Sequence, residues 1–183
     1  MKKIMLLAVG VAGLTLTSCG GEKPAQTVQD STTTVVVTGP LPADDDLTRH
    51  YADTLGNRAY AITIKRTADE TSKTVTDEFD QEYYDNSVSV HITRDGAEFF
   101  SKTFTKEAFE DYLTAADSSS VLLGMAYDED KSDKGKVCLA AQIGLPGTGE
   151  GPAFTIEIPA AGGVYSIVRD TQQDTNAQEN FGN

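Results

Sequence analysis

The sequence SVSVHITRDGAEFF, residues 87–100, contains the clearest secondary-structure pattern of the chain. Val88, Val90 and Ile92 alternate with polar residues, and this period of two indicates a strand with one buried face. The pair Asp95-Gly96 follows directly. Tight type I′ turns prefer such a pair because both of their central residues need a positive φ. The stretch therefore predicts a β-hairpin, and the core is expected to begin with antiparallel pairing.

The register of this hairpin follows from its two-residue turn. Residues 97–105 form the returning strand, which would place Phe99 opposite Ile92 and Phe100 opposite His91. The same alternation marks further strands along the chain. They are expected around residues 60–65, 121–127, 137–143, 154–158 and 164–168.

One segment departs from the strand period. Apolar residues recur there at helical spacing: Phe109, Tyr112, Leu113 and Ala116. With Thr105 as its cap, one short amphipathic helix is predicted over residues 106–116. The fold class is therefore mostly β, on the border of α+β, with an antiparallel meander and one short helix. Because that helix cannot cover a sheet of about six to eight strands, the sheet must curl into a barrel-like or a sandwich arrangement.

The first residues have the features of a bacterial export signal. Lys2-Lys3 precedes an apolar run over residues 4–14, which is too short to span a bilayer. The segment ends in Leu16-Thr17-Ser18-Cys19-Gly20, which resembles the lipobox of bacterial lipoproteins. The resemblance implies that residues 1–18 are a signal peptide, that cleavage occurs before Cys19, and that the Cys19 thiol receives a diacylglycerol.

Acylated Cys19 would anchor the chain to a lipid bilayer. Each buried methylene contributes about 0.8 kcal/mol, and two or more acyl chains give stable anchoring. Residues 19–57, rich in small and polar residues, are expected to be the anchor and a flexible stalk. A single β-rich domain is expected over residues 58–169, and a disordered tail over residues 170–183.

Composition narrows the range of partners. The chain of 183 residues carries a formal net charge of −13, which repels nucleic-acid phosphates, so no nucleic-acid partner is expected. The chain has two cysteines. If Cys19 is acylated, Cys138 cannot form an intramolecular disulfide, and its apolar surroundings predict a buried, unreactive thiol.

Residue patterns for catalysis or metal binding are missing from the sequence. The two histidines, His50 and His91, are predicted to be surface residues, and neither has the spacing of a zinc ligand. Residues 128–135 alternate oxygen-bearing side chains as calcium loops do, but Asp133 stands where such loops need glycine. We therefore predict no catalytic residues, no metal, no cofactor and no enzymatic activity.

The acidic segment over residues 77–86 contains a candidate binding surface formed by Phe79, Tyr83 and Tyr84. Exposed aromatic side chains would stack on a glycan or dock a protein. In the alternative interpretation the three rings fold back over the open end of the sheet and become part of the core.

Three motifs resemble a family of small Bacteroidales lipoproteins that has no assigned activity. They are Tyr60-Ala61-Ile62-Thr63-Ile64-Lys65-Arg66, Phe99-Phe100-Ser101-Lys102-Thr103-Phe104 and Ile167-Val168-Arg169-Asp170-Thr171. The resemblance implies an outer-membrane location and carries over no functional residue. The triplets Asp30-Ser31-Thr32 and Asp53-Thr54-Leu55 also resemble the O-glycosylation acceptor pattern of such bacteria, which makes Ser31 and Thr54 candidate sites.

Taken together, these features predict a non-enzymatic lipoprotein of the cell envelope whose β domain binds a protein or a glycan. Whether the domain faces the periplasm or the cell surface is left open. One alternative is a carrier of a small apolar ligand, which would need a lipocalin-like cavity. A second alternative is a hydrolase, which would need two carboxylates converging in one cleft.

Overall fold

The computed structural model describes residues 39–171. The predicted signal peptide, the lipidation site Cys19 and the candidate glycosylation site Ser31 lie outside the described residues, and so does the predicted tail from residue 172 onward. In chain order the strands are β1 (Leu41–Pro42), β2 (Leu47–Leu55), β3 (Arg58–Ala68), β4 (Val75–Thr76), β5 (Glu82–Tyr84), β6 (Asn86–Arg94), β7 (Ala97–Phe104), β8 (Val121–Tyr127), β9 (Lys136–Gly144), β10 (Ala153–Pro159) and β11 (Ser166–Arg169).

Two antiparallel sheets of four strands contain most of these elements. The first has the order β2-β3-β6-β7 and the second the order β11-β10-β9-β8. A small third sheet has the order β1-β5-β4, in which β1 is parallel to β5. Within the described range no sheet closes into a barrel, and the layout is that of a sandwich. The mostly β fold class is therefore confirmed.

The core lies between the two larger sheets. One cluster of buried side chains takes residues from both sheets, including Ile62 of β3 and Ile92 of β6 on one side and Leu139 and Ile156 on the other. These are the alternating apolar positions that the sequence predicts. Each large sheet buries one apolar face against the other sheet, and this apolar contact stabilises both.

The central hairpin forms with the predicted turn, since Asp95 has φ 53° and Gly96 has φ 81°. Its predicted register is wrong by one residue. A β-bulge follows Ile92, which lies opposite Phe100, while His91 lies opposite Ser101. Because the returning strand has one extra residue at the bulge, every partner beyond it is shifted.

The extra residue in the bulge is Phe99. Its ring lies edge-on against Tyr60, with 5.6 Å between ring centroids, and the Arg94 guanidinium lies 4.5 Å from the Phe99 ring centroid. An alternating strand could not give Phe99 and Phe100 the same partly buried environment. The bulge therefore allows two adjacent aromatic side chains to be partly buried. The type of the turn alone does not predict it.

The helical segment predicted between β7 and β8 is present as two short 3₁₀ helices, Lys106–Tyr112 and Ala115–Asp117. Phe109 is fully buried and packs on Phe154 at 5.1 Å between ring centroids. Thr105 precedes the first helix but makes no side-chain cap hydrogen bond. Thr114 and Asp117 form a capping box that begins a second helix and so interrupts the first.

The sequence predicts a stalk that ends at residue 57, but the folded chain begins earlier. Strand β2 pairs with β3 over nine residues, from Leu47 opposite Arg66 to Leu55 opposite Arg58. Most of its side chains are exposed because β2 is an edge strand. Its polar sequence therefore lacks a clear period of two and resembles that of a flexible stalk.

A group of polar contacts, here called the polar seam, joins the two large sheets. Asp85 Oδ1 accepts hydrogen bonds from the Leu122 amide at 2.8 Å and from the Asn86 amide at 2.6 Å. Asn86 Nδ2 donates to the Leu122 carbonyl and to Asp44 Oδ2, each at 3.0 Å. Since Asn86 begins β6 and Leu122 lies in β8, these bonds fix one sheet against the other.

Arg66 extends the polar seam from the neighbouring strand β3. Its guanidinium donates to the Leu123 carbonyl and to the Asp45 carbonyl, the latter at 2.9 Å from Nη2. Gly124 lies beside this contact and has φ +154°, a backbone conformation that residues other than glycine rarely adopt. The seam therefore holds β3, β6, β8 and the chain segment that leads into β2.

Asp85 is only 7% exposed. Burial raises the pKa of Asp85, because the loss of solvation outweighs the opposing effect of the hydrogen bonds from Leu122 and Asn86. The folded chain therefore binds this proton more tightly than the unfolded chain does. Keeping the carboxylate ionised therefore costs stability, and the hydrogen bonds across the seam offset only part of that cost.

Replacing Asp85 by asparagine tests this assignment, because Asn keeps an acceptor oxygen and removes the titration. The wild-type free energy of unfolding should fall relative to that of Asp85→Asn as the pH rises from the ordinary Asp pKa of 3.8 through the raised folded-state pKa. Above that range the difference should stay constant. Urea unfolding at a series of pH values measures it.

Asp95→Asn is the matched control, because the stability of the wild type relative to this variant should change with pH in the opposite direction. The Ala59 amide and the Arg58 side chain hold the pKa of Asp95 below its usual value, so its stabilising effect is present above pH 3.8 and is lost as the pH falls through the folded-state pKa. The wild type should therefore gain stability relative to Asp95→Asn as the pH rises. The same sign for both variants would contradict the assignment of Asp85 as a desolvated carboxylate.

Candidate functional site

The candidate binding surface predicted from the sequence lies on the Asp77 loop, residues 77–81, between β4 and β5. Asp77 Oδ1 accepts hydrogen bonds from the Phe79 amide at 2.8 Å and from the Gln81 amide at 2.9 Å. The Asp77 amide donates to the Gln81 carbonyl at 3.0 Å. One carboxylate therefore holds the loop in a fixed conformation, with Asp80 in the left-handed region at φ 62°.

The structure separates the three aromatic residues of that surface. Phe79, at the tip of the Asp77 loop, is 81% exposed. Tyr83 is half-buried against a small apolar cluster around Val75 and Leu123, and its hydroxyl donates to Asp77 Oδ2 at 3.3 Å. Tyr84 is half-buried opposite Pro42. Phe79 is therefore the ring available to a partner, while Tyr83 supports the loop from below.

The Asp77 loop combines one apolar ring with negative charge. Glu78, Asp80 and Glu82 are all exposed beside Phe79. Asp77 is half-buried, and both of its oxygens are engaged within the loop. A surface with these properties fits a partner that offers an apolar pocket surrounded by positive charge.

A second feature lies at the opposite end of the sandwich. Four hairpin turns meet there: β2–β3, β6–β7, β8–β9 and β10–β11. Two contacts show this. Arg94 Nη1 donates to the Ala160 carbonyl at 2.5 Å, and a Cβ added at Gly56 would lie 3.3 Å from the Lys134 Cβ. We call this the turn end and the other the connection end. An open cleft of about 580 Å³ lies at the turn end, with Arg58, Arg94 and Lys134 among its lining residues.

Sequence reasoning missed this turn-end cleft. Arg58, Arg94 and Lys134 are separated by tens of residues along the chain, and each stands beside an ordinary hairpin turn. Only the pairing of four hairpins at one end brings them together. One feature of the sequence does point to a basic cleft. Three separate turns each have a basic residue beside them, although the chain has nearly twice as many acidic as basic residues.

Other residues considered for chemistry are far from forming a catalytic group. His50 contacts Thr63 Oγ1 at 3.1 Å, and His91 lies 3.4 Å from Glu98, both on the exposed face of the first sheet. Cys138 is fully buried in the second sheet, and burial raises the pKa of its thiol to about 11. Among residues 39–171 no group of three potential metal ligands is brought together.

The loop over residues 128–135 is held by its own lysine. Lys131 Nζ lies 2.6 Å from Asp170 and 3.5 Å from Asp128, so this lysine pairs with one carboxylate of the loop and with one outside it. The Ser132 hydroxyl donates to the Asp128 carbonyl at 2.7 Å and accepts from the Cys138 amide at 2.9 Å. The contacts are those of a charged hairpin loop that covers the Cys138 thiol.

Thr54, the second candidate glycosylation site, lies near the end of edge strand β2 and is exposed. Its amide donates to Asp53 Oδ1 at 2.6 Å, while Asp53 Oδ2 accepts a hydrogen bond from the Tyr127 hydroxyl at 2.5 Å. This network raises the pKa of Tyr127 to about 12, by burial first and by the contact with Asp53 second. The Thr54 side chain is therefore accessible next to a fixed Asp53.

The interior of the sandwich is filled by side chains, among them Phe104, Phe109 and Phe154, which are at most 1% exposed. A groove of about 290 Å³ opens at the surface beside the polar seam, where Arg49, Arg66 and Asp170 line part of it. None of the helices among residues 39–171 has the length and apolar character needed to cross a bilayer.

The fold and its surfaces define a mostly β domain with an exposed aromatic loop and a basic cleft at opposite ends. A family model for a domain of unknown function, DUF4738, matches residues 30–165, and the chain belongs to this family. The match agrees with the expectation of a domain family without an assigned activity. A sequence comparison with curated proteins finds no match.

Proposed function

We propose that this protein is a lipid-anchored lipoprotein of the cell envelope whose β-sandwich binds a protein partner through the Asp77 loop. The lipobox-like segment ending at Cys19 supports the anchor, and the family resemblance supports the outer membrane. The observation that carries the binding role is Phe79, which is 81% exposed on a loop that Asp77 holds in place.

The position of Phe79 is unfavourable for the isolated domain. Burying a phenylalanine side chain contributes about 1.5–3 kcal/mol, which the free protein forgoes here. Rigid loops lose little conformational entropy on binding, so a fixed aromatic ring is an efficient anchor for a partner. The acidic residues around it would add attraction toward a basic protein surface and a faster association rate.

The two alternative functions receive less support. A carrier of an apolar ligand needs an enclosed, lined cavity, whereas the space between these sheets is filled by side chains. A carboxylate-based hydrolase needs two acids facing each other in one cleft, and the turn-end cleft is lined by cations instead. We therefore propose a binding role without catalysis.

The anchor is tested by the intact mass of the protein extracted from membranes with detergent. The expected chain begins at Cys19 and carries the added mass of a diacylglycerol and an acyl group. Cys138→Ala should keep this mass, because its thiol is buried in the domain. Cys19→Ala should lose it. An unmodified Cys19 in the wild type would refute the anchor.

The binding role is tested by replacing Phe79 with serine in the full, membrane-anchored chain. Partner proteins isolated with the wild type and with the variant would be quantified by isotope-labelled mass spectrometry. Removing the Phe79 side chain should cost about 1.5–3 kcal/mol of binding free energy, which corresponds to an affinity for the partner about 10- to 150-fold weaker. Recovery of the partner should therefore fall sharply.

Val164→Ser is the matched control, because Val164 is an apolar side chain that is 88% exposed in the β10–β11 turn. It should leave recovery of the partner unchanged. A partner lost equally from both variants, or retained by Phe79→Ser, would refute the role of the Asp77 loop.

A further inference from the structure

The turn-end cleft concentrates positive charge in an acidic protein. Its lining residues Arg58, Arg94 and Lys134 are three of the chain's 15 basic residues, while the formal net charge is −13. No carboxylate is among the described residues that line the cleft. Asp95, which contacts Arg58 at 2.8 Å, is the acid paired with this group.

Two of the three cations are held in fixed positions. Arg94 donates to the Ala160 carbonyl at 2.5 Å and rests on the Phe99 ring, so its guanidinium is anchored from two sides. Arg58 is paired with Asp95, whose second oxygen accepts from the Ala59 amide at 3.0 Å. These contacts set the shape of the wall without consuming all the donors of either guanidinium.

Lys134 is different from both arginines. It is exposed, and within residues 39–171 no hydrogen bond or ion pair engages its ammonium group. Its Cβ lies beside Gly56, since a Cβ added at Gly56, which has φ +67°, would come within 3.3 Å of it. The base of the side chain is therefore positioned at the rim of the cleft, and its charge is available to an anion that enters.

The cleft also offers a neutral polar group. Asn57 lies in the β2–β3 turn and is exposed, and its side-chain amide has no hydrogen-bond partner in the described part of the chain. An amide presents both donors and an acceptor, which suits hydroxyl groups. A ligand that combined one anionic group with several hydroxyls would use the cations and the amide together.

The size of the cleft favours a small ligand over a macromolecular surface. Its volume of about 580 Å³ lies within the range of small-molecule sites, roughly 300–1,000 Å³. A stable protein interface needs about 800 Å² from each partner, which is usually a flatter surface. The cleft therefore fits one or two sugar units better than a folded protein.

We infer that the turn-end cleft binds an acidic monosaccharide, free or at the end of a glycan, with its carboxylate against Lys134 and Arg94 and its hydroxyls against Asn57. The site lies at the opposite end of the sandwich from the Asp77 loop and does not depend on it. Binding at the cleft and protein binding at the loop can therefore succeed or fail separately.

The test uses NMR titration of the isotope-labelled full chain in detergent micelles, with glucuronate as the probe. Saturable shifts should occur at the amides of Gly56, Asn57, Lys134 and Ala161. Glucose, which has the same ring without the acid, should cause no saturable shift. Lys134→Glu should weaken glucuronate binding at least tenfold, whereas Lys73→Glu, an exposed lysine at the connection end, should leave it unchanged.

Inorganic sulfate and Asn57→Ala separate sugar recognition from simple anion binding. Asn57→Ala should weaken glucuronate binding and leave the weaker binding of sulfate unchanged. Equal affinity for sulfate and glucuronate would mean a general anion site and would overturn the sugar assignment. Absence of saturable shifts with glucuronate, or no effect of Lys134→Glu, would overturn the site altogether.

Discussion

The structure depends on two hydrogen bonds at the backbone of Leu122, whose amide donates to the Asp85 carboxylate and whose carbonyl accepts from the Asn86 side chain. Two apolar sheet faces attract each other without a preferred position, because hydrophobic contact is not directional. Directional bonds from β6 to β8 select one arrangement. These bonds require a carboxylate, that of Asp85, to be buried, which raises its pKa. In return they fix the position of one sheet on the other.

The same polar seam determines where the two candidate surfaces lie. Asp44 and Asp45 contact Asn86 and Arg66, so the incoming chain is fixed at the connection end before it enters β2. There β1 pairs with β5 and places the Asp77 loop. Nine residues of β2, at about 3.3 Å each, then carry the chain about 30 Å to the turn end. The loop and the turn-end cleft are therefore separate surfaces.

How far the sequence predicts the fold depends on whether the deciding contacts are local. The strands β3 and β6 and the Asp95-Gly96 turn follow from neighbouring residues, and the structure has them. The bulge at Phe99 depends on packing against Tyr60, nearly forty residues away, and was not predictable from the turn. Strand β2 was missed because an edge strand buries few side chains. The sequence predicts a binding surface that includes Phe79, and the structure shows this ring exposed. The turn-end cleft was not predictable, because it exists only once four hairpins are assembled.

Photo-crosslinking in the cell tests whether the Asp77 loop binds a protein partner. A photoreactive phenylalanine analogue would replace Phe79 in the full chain, and in a parallel strain it would replace Val164. Irradiation of intact cells should give one discrete protein adduct from position 79 that is absent from position 164. No adduct from position 79, or the same adducts from both positions, would show that the Asp77 loop is not a binding surface for a protein partner.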